Sequence, residues 1–337
     1  MFSFVVEKKG RADHSVTCTY MNIVKEALAL TNKEIEFIEK GSHAKTKKSC
    51  IVSDTIQAAF TYFCKGYKNQ IVWMQGVVPE ESFMRNHSKL RYKLISIMER
   101  YVLKHAKMLL LVSDEMCRHY ETKYKLQLAD KSVIMPCFNE TEIVNEAFLQ
   151  EKYEQNNFVY VGSLHAWQCF EQTVLLYAAI EKKATVPTKF YVYTFQKSLA
   201  EEIIKKHGVQ NYVVDCVEKD KLSDCIMKMK FGFVIRENHT VNNVATPTKF
   251  SNYLANGIIP IYSRALRSFR CFDDKAHIGI VYDLCNHQND LDAIITYLDK
   301  EISADELRQK CEMAFDTYYS VEKYKMEILE KVTQLVD

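Results

Sequence analysis

The chain has 337 residues, 47% of them hydrophobic and 26% charged, with a formal net charge of +2 at pH 7. That length accommodates two domains, and the composition is that of an ordinary globular protein rather than a disordered, collagenous or disulfide-stapled one. No apolar run approaches the ~20 residues that span a bilayer, and residues 2–6 lack the charged start and apolar core of a signal peptide. Eleven cysteines, an odd number without C-x-x-C pairs, argue for reduced thiols and against a zinc site, so an intracellular protein is expected. The small net charge conceals an asymmetry: residues 1–135 carry 22 Lys and Arg against 14 Asp and Glu, whereas residues 136–337 carry 23 against 29. Such a split predicts two domains, the first facing something anionic.

In chain order, residues 2–6 read as a strand, 7–13 as a polar loop around Gly10, and 15–30 as a helix. Strands are predicted at 35–38, 50–52, 71–74, 108–112 and 132–135, with a basic loop at 45–48. Helices fall between them: one capped by Ser53 and Asp54 and running to 67, one over 85–107, and one capped by Ser113 and Asp114 and running to 124. Residues 138–157 are polar and acidic and read as a domain linker. The alternation then restarts, with strands at 158–161, 190–194, 212–214, 231–235, 258–262 and 277–282. The intervening helices are 166–181, 198–206 and 221–229, followed at the end by 291–298 and a helix over 304–336 broken near Tyr319. Alternation at this spacing means two α/β domains with mostly parallel sheets.

Residues 231–263 concentrate the chemistry. Residues 231–235 read as a buried strand and 236–243 as a loop. Thr246 and Pro247 read as the N-cap and first residue of a helix that stops at Gly257. This numbering puts Lys249 at the third helical position, where the macrodipole favours a carboxylate instead. Arg236 closes the preceding strand, so both cations are expected at the carboxyl edge of the sheet, where open α/β sheets bind ligands and helix N-termini favour phosphate. Asn252, three residues after Lys249, shares its helix face.

The order of parts resembles the donor site of GT-B-fold glycosyltransferases, especially the family-4-like enzymes of polysaccharide gene clusters. The match runs through Pro247-Thr248-Lys249-Phe250, Tyr253-Leu254-Ala255, Gly257 and Pro260. It extends to Tyr160-Val161-Gly162-Ser163-Leu164, a strand and glycine turn whose backbone N–H groups can cradle phosphate. There are departures. The glutamate that usually grips the nucleotide ribose falls on Asn252, and the usual Arg and Lys after the turn are replaced near Ser163 and Gln168. Gln75-Gly76 and Pro79-Glu80-Glu81-Ser82 are similar to the matching loop of the first domain, which faces sugar and acceptor; Glu81 is its candidate functional carboxylate, although Glu80 and Glu81 also suit a helix first turn.

The resemblance implies two Rossmann-like domains with a deep interdomain cleft and a C-terminal crossover helix. The corresponding boundaries are 1–140, a linker at 141–157, a nucleotide-sugar domain at 158–317, and a terminal helix at 318–337 that packs back on the first domain. It implies transfer of a sugar from a UDP- or GDP-linked donor to a glycan or lipid-linked acceptor, with retention and without a metal or further cofactor. The residues it assigns to the nucleotide are Gly162, Ser163, Arg236, Glu237, Asn242, Thr246, Thr248, Lys249 and Asn252, with Arg236, Lys249 and Glu81 catalytic. Two alternatives remain: a non-hydrolysing nucleotide-sugar epimerase of the same fold, and a non-catalytic GT-B partner subunit.

Two further features bear on partners. The 85–107 helix carries Leu90, Leu94, Ile97, Met98, Tyr101 and Val102 on one face, expected to pack, with Lys89, Lys93, Arg100, Lys104 and Lys107 largely elsewhere. Its basic side suits an anionic membrane, which predicts a cytoplasmic protein held peripherally at the inner face of the plasma membrane. No nucleic-acid motif accompanies the charge. Asp290-Leu291-Asp292 spells D-x-D, but at a helix start, where acids offset the dipole, so no metal role is assigned.

Overall fold

The computed structural model describes residues 1–6, 16–285 and 287–336. The expected loop at 7–13 around Gly10, and the expected helix start at 15, lie outside the described residues. The chain divides into two compact units. The first comprises Met1–Cys137 with Val244–Thr246 and Ser320–Asp337; the second comprises Phe138–Asn243 with Pro247–Tyr319.

The first unit runs β1 (Phe2–Val6), α1 (Val16–Ala29), β2 (Ile35–Glu39), β3 (Cys50–Ser53), α2 (Ile56–Cys64), β4 (Gln70–Met74), α3 (Val78–Asn86), α4 (Lys89–His105), β5 (Met108–Leu111), α5 (Asp114–Tyr124) and β6 (Ser132–Ile134). Its six strands are all parallel, in the order β2-β1-β3-β4-β5-β6. Every residue of β4 and β5 is buried, as expected where helices cover both faces of a parallel sheet. The capping residue of α2 is Thr55, whose hydroxyl accepts from the Ala58 N–H at 3.3 Å, rather than Ser53 or Asp54. The single helix expected over 85–107 is two: His87, at φ 51°, ends α3 in the left-handed conformation, and the Ser88 hydroxyl caps α4 by accepting from the Arg91 N–H.

The second unit runs β7 (Asn156–Val161), α6 (Phe170–Lys183), β8 (Thr188–Tyr193), α7 (Lys197–Lys206), β9 (Tyr212–Asp215), α8 (Leu222–Ile226), β10 (Phe231–Val234), α9 (Thr240–Asn243), α10 (Lys249–Ala255), β11 (Ile259–Ser263), α11 (Arg267–Ala276), β12 (Ile280–Tyr282), α12 (His287–Leu298) and α13 (Ala304–Thr317). Its sheet is also six-stranded and parallel, in the order β12-β11-β10-β7-β8-β9. Its core is aromatic: Phe158 stacks on Phe231 at 4.9 Å, and Tyr177 on Phe190 at 4.7 Å. The short α9 and the ten-residue α11 were not anticipated by periodicity.

The final helix, α14 (Val321–Val336), returns to the first unit. Tyr324, Ile328 and Val332, each four apart, are its buried side, while Lys325 pairs with Glu26 of α1 at 2.7 Å. Residues 138–157 belong to the second unit, where they form short 3₁₀ turns and bury Ala147, Lys152 and Tyr153. The cysteines among the described residues form no disulfide.

Candidate functional site

The site lies at the carboxyl edge of the second sheet, where adjacent strands β7 and β10 end. Gly162 directly follows β7, and Arg236 lies two residues beyond β10. Their partner is α10, which holds its place through Tyr253. That ring crosses β10 so closely that a Cβ on Gly232 would lie 2.6 Å from it, and its hydroxyl points at the Phe233 carbonyl. Only a glycine leaves room for this approach.

The start of α10 differs from expectation. The helix begins at Lys249, with Thr248 at the N-cap and no side-chain cap bond. Lys249 is therefore the first helical residue, not the third, and Thr246 and Pro247 are neither cap nor first turn. Thr246 lies in the first unit, where its hydroxyl accepts from the Cys137 N–H at 2.8 Å.

The far end of α10 is closed by residues 138–157. The Val144 N–H donates to the Ala255 carbonyl at 2.7 Å, Lys152 Nζ to the Asn256 carbonyl, and the Tyr153 hydroxyl to the Gly257 carbonyl at 2.9 Å. These carbonyls lie at and just beyond the helix C-terminus, where no intrahelical N–H reaches them. Lys152 Nζ also donates to the Ala147 carbonyl at 3.0 Å, and burial pulls the Lys152 pKa down to about 7. A neutral amine still has two hydrogens, enough for both carbonyls.

At the sheet edge the two cations converge. Arg236 is 4% exposed and Lys249 half-buried. Arg236 Nη2 and Lys249 Nζ both donate to one atom, the Gln168 amide oxygen, with the lysine contact at 2.9 Å. Lys249 Nζ also sits 4.0 Å from the centre of the Tyr160 ring. Among the described residues neither cation has a carboxylate partner. Burial, and the Arg236 guanidinium beside it, hold the Lys249 pKa well below the usual lysine range. Burial lowers that of Arg236 also, but a guanidinium remains charged. Gly162 completes the enclosure: at φ 131° it takes a conformation closed to most side chains, and a Cβ there would stand 3.1 Å from Lys249 Cε.

The turn itself is less open than its sequence suggests. The Gly162 N–H donates to the Tyr193 carbonyl at 2.9 Å, and the Leu164 N–H to Gln196 Oε1 at 2.8 Å. The carbonyl of Ser163 accepts from the Tyr160 hydroxyl at 2.7 Å. Exposed Glu237 accepts from Gln172 at 2.9 Å rather than from the adjacent Arg236, and its N–H points to the Cys169 sulfur. Buried Asn242 braces the same turn by donating to the Glu237 carbonyl at 3.0 Å. Thr248 accepts from the Ser251 hydroxyl. Asn252 turns to Asn139, whose amide donates to Asn252 Oδ1 at 3.0 Å, so its carboxamide oxygen is engaged away from Lys249.

Gln168 is the residue that sequence reasoning undervalued. It stands as a missing charge in the motif, whereas the fold makes it the shared acceptor of both cations. No local signal marks that role, because it depends on three separate segments meeting.

Glu81 belongs to the first unit and lies on α3. Burial raises its pKa, with Arg85 opposing and Glu80 adding. Its neighbour Glu80 behaves oppositely: burial would raise it, but His119 and Lys123 hold it down to about 2. The D-x-D acids are separately engaged, Asp290 accepting from the Asp283 N–H at 2.6 Å and Asp292 pairing with Lys183.

No protein-family model matches the chain, and no curated protein matches it in sequence. Solved structures do match in shape. Sucrose-phosphate synthase from Thermosynechococcus elongatus superposes with a TM-score of 0.69 at 13% identity, over 99% of this chain and 98% of that one. WaaG, a glycosyltransferase involved in lipopolysaccharide biosynthesis, gives 0.67 at 13% identity, over 97% and 99%. Staphylococcus aureus TarM, as a mutant in complex with fondaparinux, α-GlcNAc-glycerol and UDP, gives 0.63 at 12% identity; 93% of this chain is covered but only 58% of TarM. At such identities the likeness is one of architecture, and the architecture is the GT-B fold, two Rossmann-like units with six parallel strands each.

Proposed function

We propose that the chain is a glycosyltransferase that moves a sugar from a nucleoside-diphosphate donor to a glycan or lipid-linked acceptor. The observation that carries this reading is the pair of cations at the sheet edge whose shared partner is a neutral amide oxygen. Two enclosed like charges are costly unless something compensates them, and a diphosphate is an anion of matching charge and reach. UDP in the similar TarM structure supports a uridine nucleotide over other donors.

In this reading Arg236 and Lys249 bind the diphosphate and stabilise the charge that grows on it as the glycosidic bond breaks. At an effective dielectric of about 20, each enclosed charge contributes a few kcal/mol to that stabilisation. Thr248, Ser163, Asn242 and Glu237 line or brace the same edge, and Asn252 stands where a ribose contact is assigned. Thr246 is retained only as a brace of the segment before α10, given its bond to Cys137. Glu81 is assigned to the acceptor side on the resemblance of its loop, and burial raises its pKa, which favours the protonated carboxyl relative to an exposed glutamate. Retention of configuration and independence from metal follow from the same resemblance.

A second reading, a non-catalytic member of the fold, is favoured by one observation: the N–H groups of Gly162 and Leu164 are already committed. The two separate in a thermal-shift panel of UDP, GDP, CMP and their sugars. A glycosyltransferase is stabilised by one nucleotide and consumes its sugar when an acceptor is supplied. The non-catalytic reading gives no shift and no turnover.

A further inference from the structure

Helix α4 turns its apolar stripe outward. Leu90 is 70% exposed, Leu94 61%, Ile97 67% and Tyr101 41%. Their spacing of four, three and four residues aligns them along one side of the helix, about 16 Å from end to end at 1.5 Å per residue. The opposite side is the one that packs, through buried Glu99, Val102 and Leu103. The sequence suggested that the leucines seat the helix and its cations face water; instead, leucines and cations share the outer surface. Lys93, Arg100 and Lys104 flank the stripe on one side and Arg91 on the other, all exposed. None of these four forms an ion pair among the described residues. The one carboxylate on the helix, Glu99, points inward to Tyr124 and Lys123. The neighbouring helix α2 carries no charged residue at all.

We propose that this face is a membrane-docking surface that lies in the interface of a bilayer containing anionic lipid. The stripe enters the acyl boundary while the flanking lysines and arginines, whose stems can lie along apolar surface, reach the phosphates. Charge complementarity selects the occupant. A second copy docking the same face on itself would press two sets of unpaired cations together, whereas anionic headgroups neutralise them. No helix among the described residues is long and apolar enough to cross a membrane, so the attachment is peripheral and reversible. It requires no nucleotide and stands or falls independently of the donor site.

Flotation with phosphatidylcholine vesicles, and with phosphatidylcholine–phosphatidylglycerol vesicles, tests this with the full chain. The wild type floats with the anionic vesicles, more weakly as salt rises, and not with the neutral ones. Leu94→Glu with Ile97→Glu lowers the partition coefficient about tenfold or more, as does Lys93→Gln with Arg100→Gln and Lys104→Gln. Leu199→Glu, at an exposed leucine on α7, leaves it unchanged. Because the altered side chains are exposed, melting temperatures stay near wild type. A Leu94→Trp chain reports independently: its emission shifts to shorter wavelength on anionic vesicles. Equal binding to both vesicle types, undiminished binding by the Leu94/Ile97 variant, or a wild-type dimer that this variant dissolves would each overturn the proposal, the last by showing that a second copy covers the face.

Discussion

Arg236 and Lys249 donate to the same oxygen, Gln168 Oε1, which is uncharged. Supplying the charge from within should therefore separate stability from binding. Gln168→Glu places a carboxylate against both cations and is expected to stabilise the protein by about 1.5–3 kcal/mol, the range for hydrogen bonds to charged groups. The same change should weaken nucleoside-diphosphate binding at least tenfold, because the internal carboxylate competes with the phosphate. Paired denaturant melts and nucleotide titrations check both halves.

The depressed Lys249 pKa has a sign that can be measured. An arriving diphosphate raises that pKa back toward its ordinary value, so the complex binds more protons than its parts. Nucleotide binding should take up protons and weaken as pH rises through the depressed pKa of the free protein. Calorimetry in buffers of different ionisation enthalpy reads the uptake directly. Lys249→Met should abolish most of it.

Lys152 closes the helix that carries Lys249, and its pKa lies near 7 in the folded chain against about 10.4 unfolded. Between those values the unfolded state holds the extra proton, so this residue makes stability rise with pH, by up to about 1.4 kcal/mol per unit. Lys152→Met should flatten that rise. It should also cost about 1–3 kcal/mol overall by leaving the Asn256 and Ala147 carbonyls buried without a donor.

Glu99 gives the opposite slope. Burial raises its pKa to about 7, although Lys123 and Tyr124 both favour the charged form. The folded state holds the extra proton between about 4.3 and 7, so stability falls as pH climbs through that window. Glu99→Gln should remove this loss and make the protein more stable than wild type at pH 8, read from urea midpoints at two pH values.

The strands and the sheet edge were the legible part. Buried parallel strands such as Met108–Leu111 and Ile259–Ser263 are continuous apolar runs, and the restart of the pattern near Phe158 marks the second sheet. That Arg236 and Lys249 meet was readable because both follow from strand ends and a helix start in one βαβ unit. What was not readable depends on distant partners. Polar residues 138–157 resemble a linker until Val144, Lys152 and Tyr153 are seen on the carbonyls of Ala255, Asn256 and Gly257, where α10 ends. The α3–α4 break turns on one left-handed residue, His87, and a histidine is no strong break signal. Periodicity identified the apolar stripe of α4 but not its direction, since the helix is apolar on two sides and only packing chooses between them.

The central claim is that Arg236 and Lys249 are held for an anion rather than for the fold. The direct test is calorimetric titration of UDP and GDP into wild type, Arg236→Ala, Lys249→Ala and Asn252→Ala, beside their melting temperatures. The account predicts that the cation variants stay folded, with Lys249→Ala as stable as wild type or more so. Each should lose roughly 1.5–3 kcal/mol of nucleotide binding, the range for a charge-assisted contact. Asn252→Ala should lose about 1 kcal/mol or less, the scale of a neutral hydrogen bond, because its oxygen is already held by Asn139. Wild-type binding by both cation variants, or their unfolding, would contradict it.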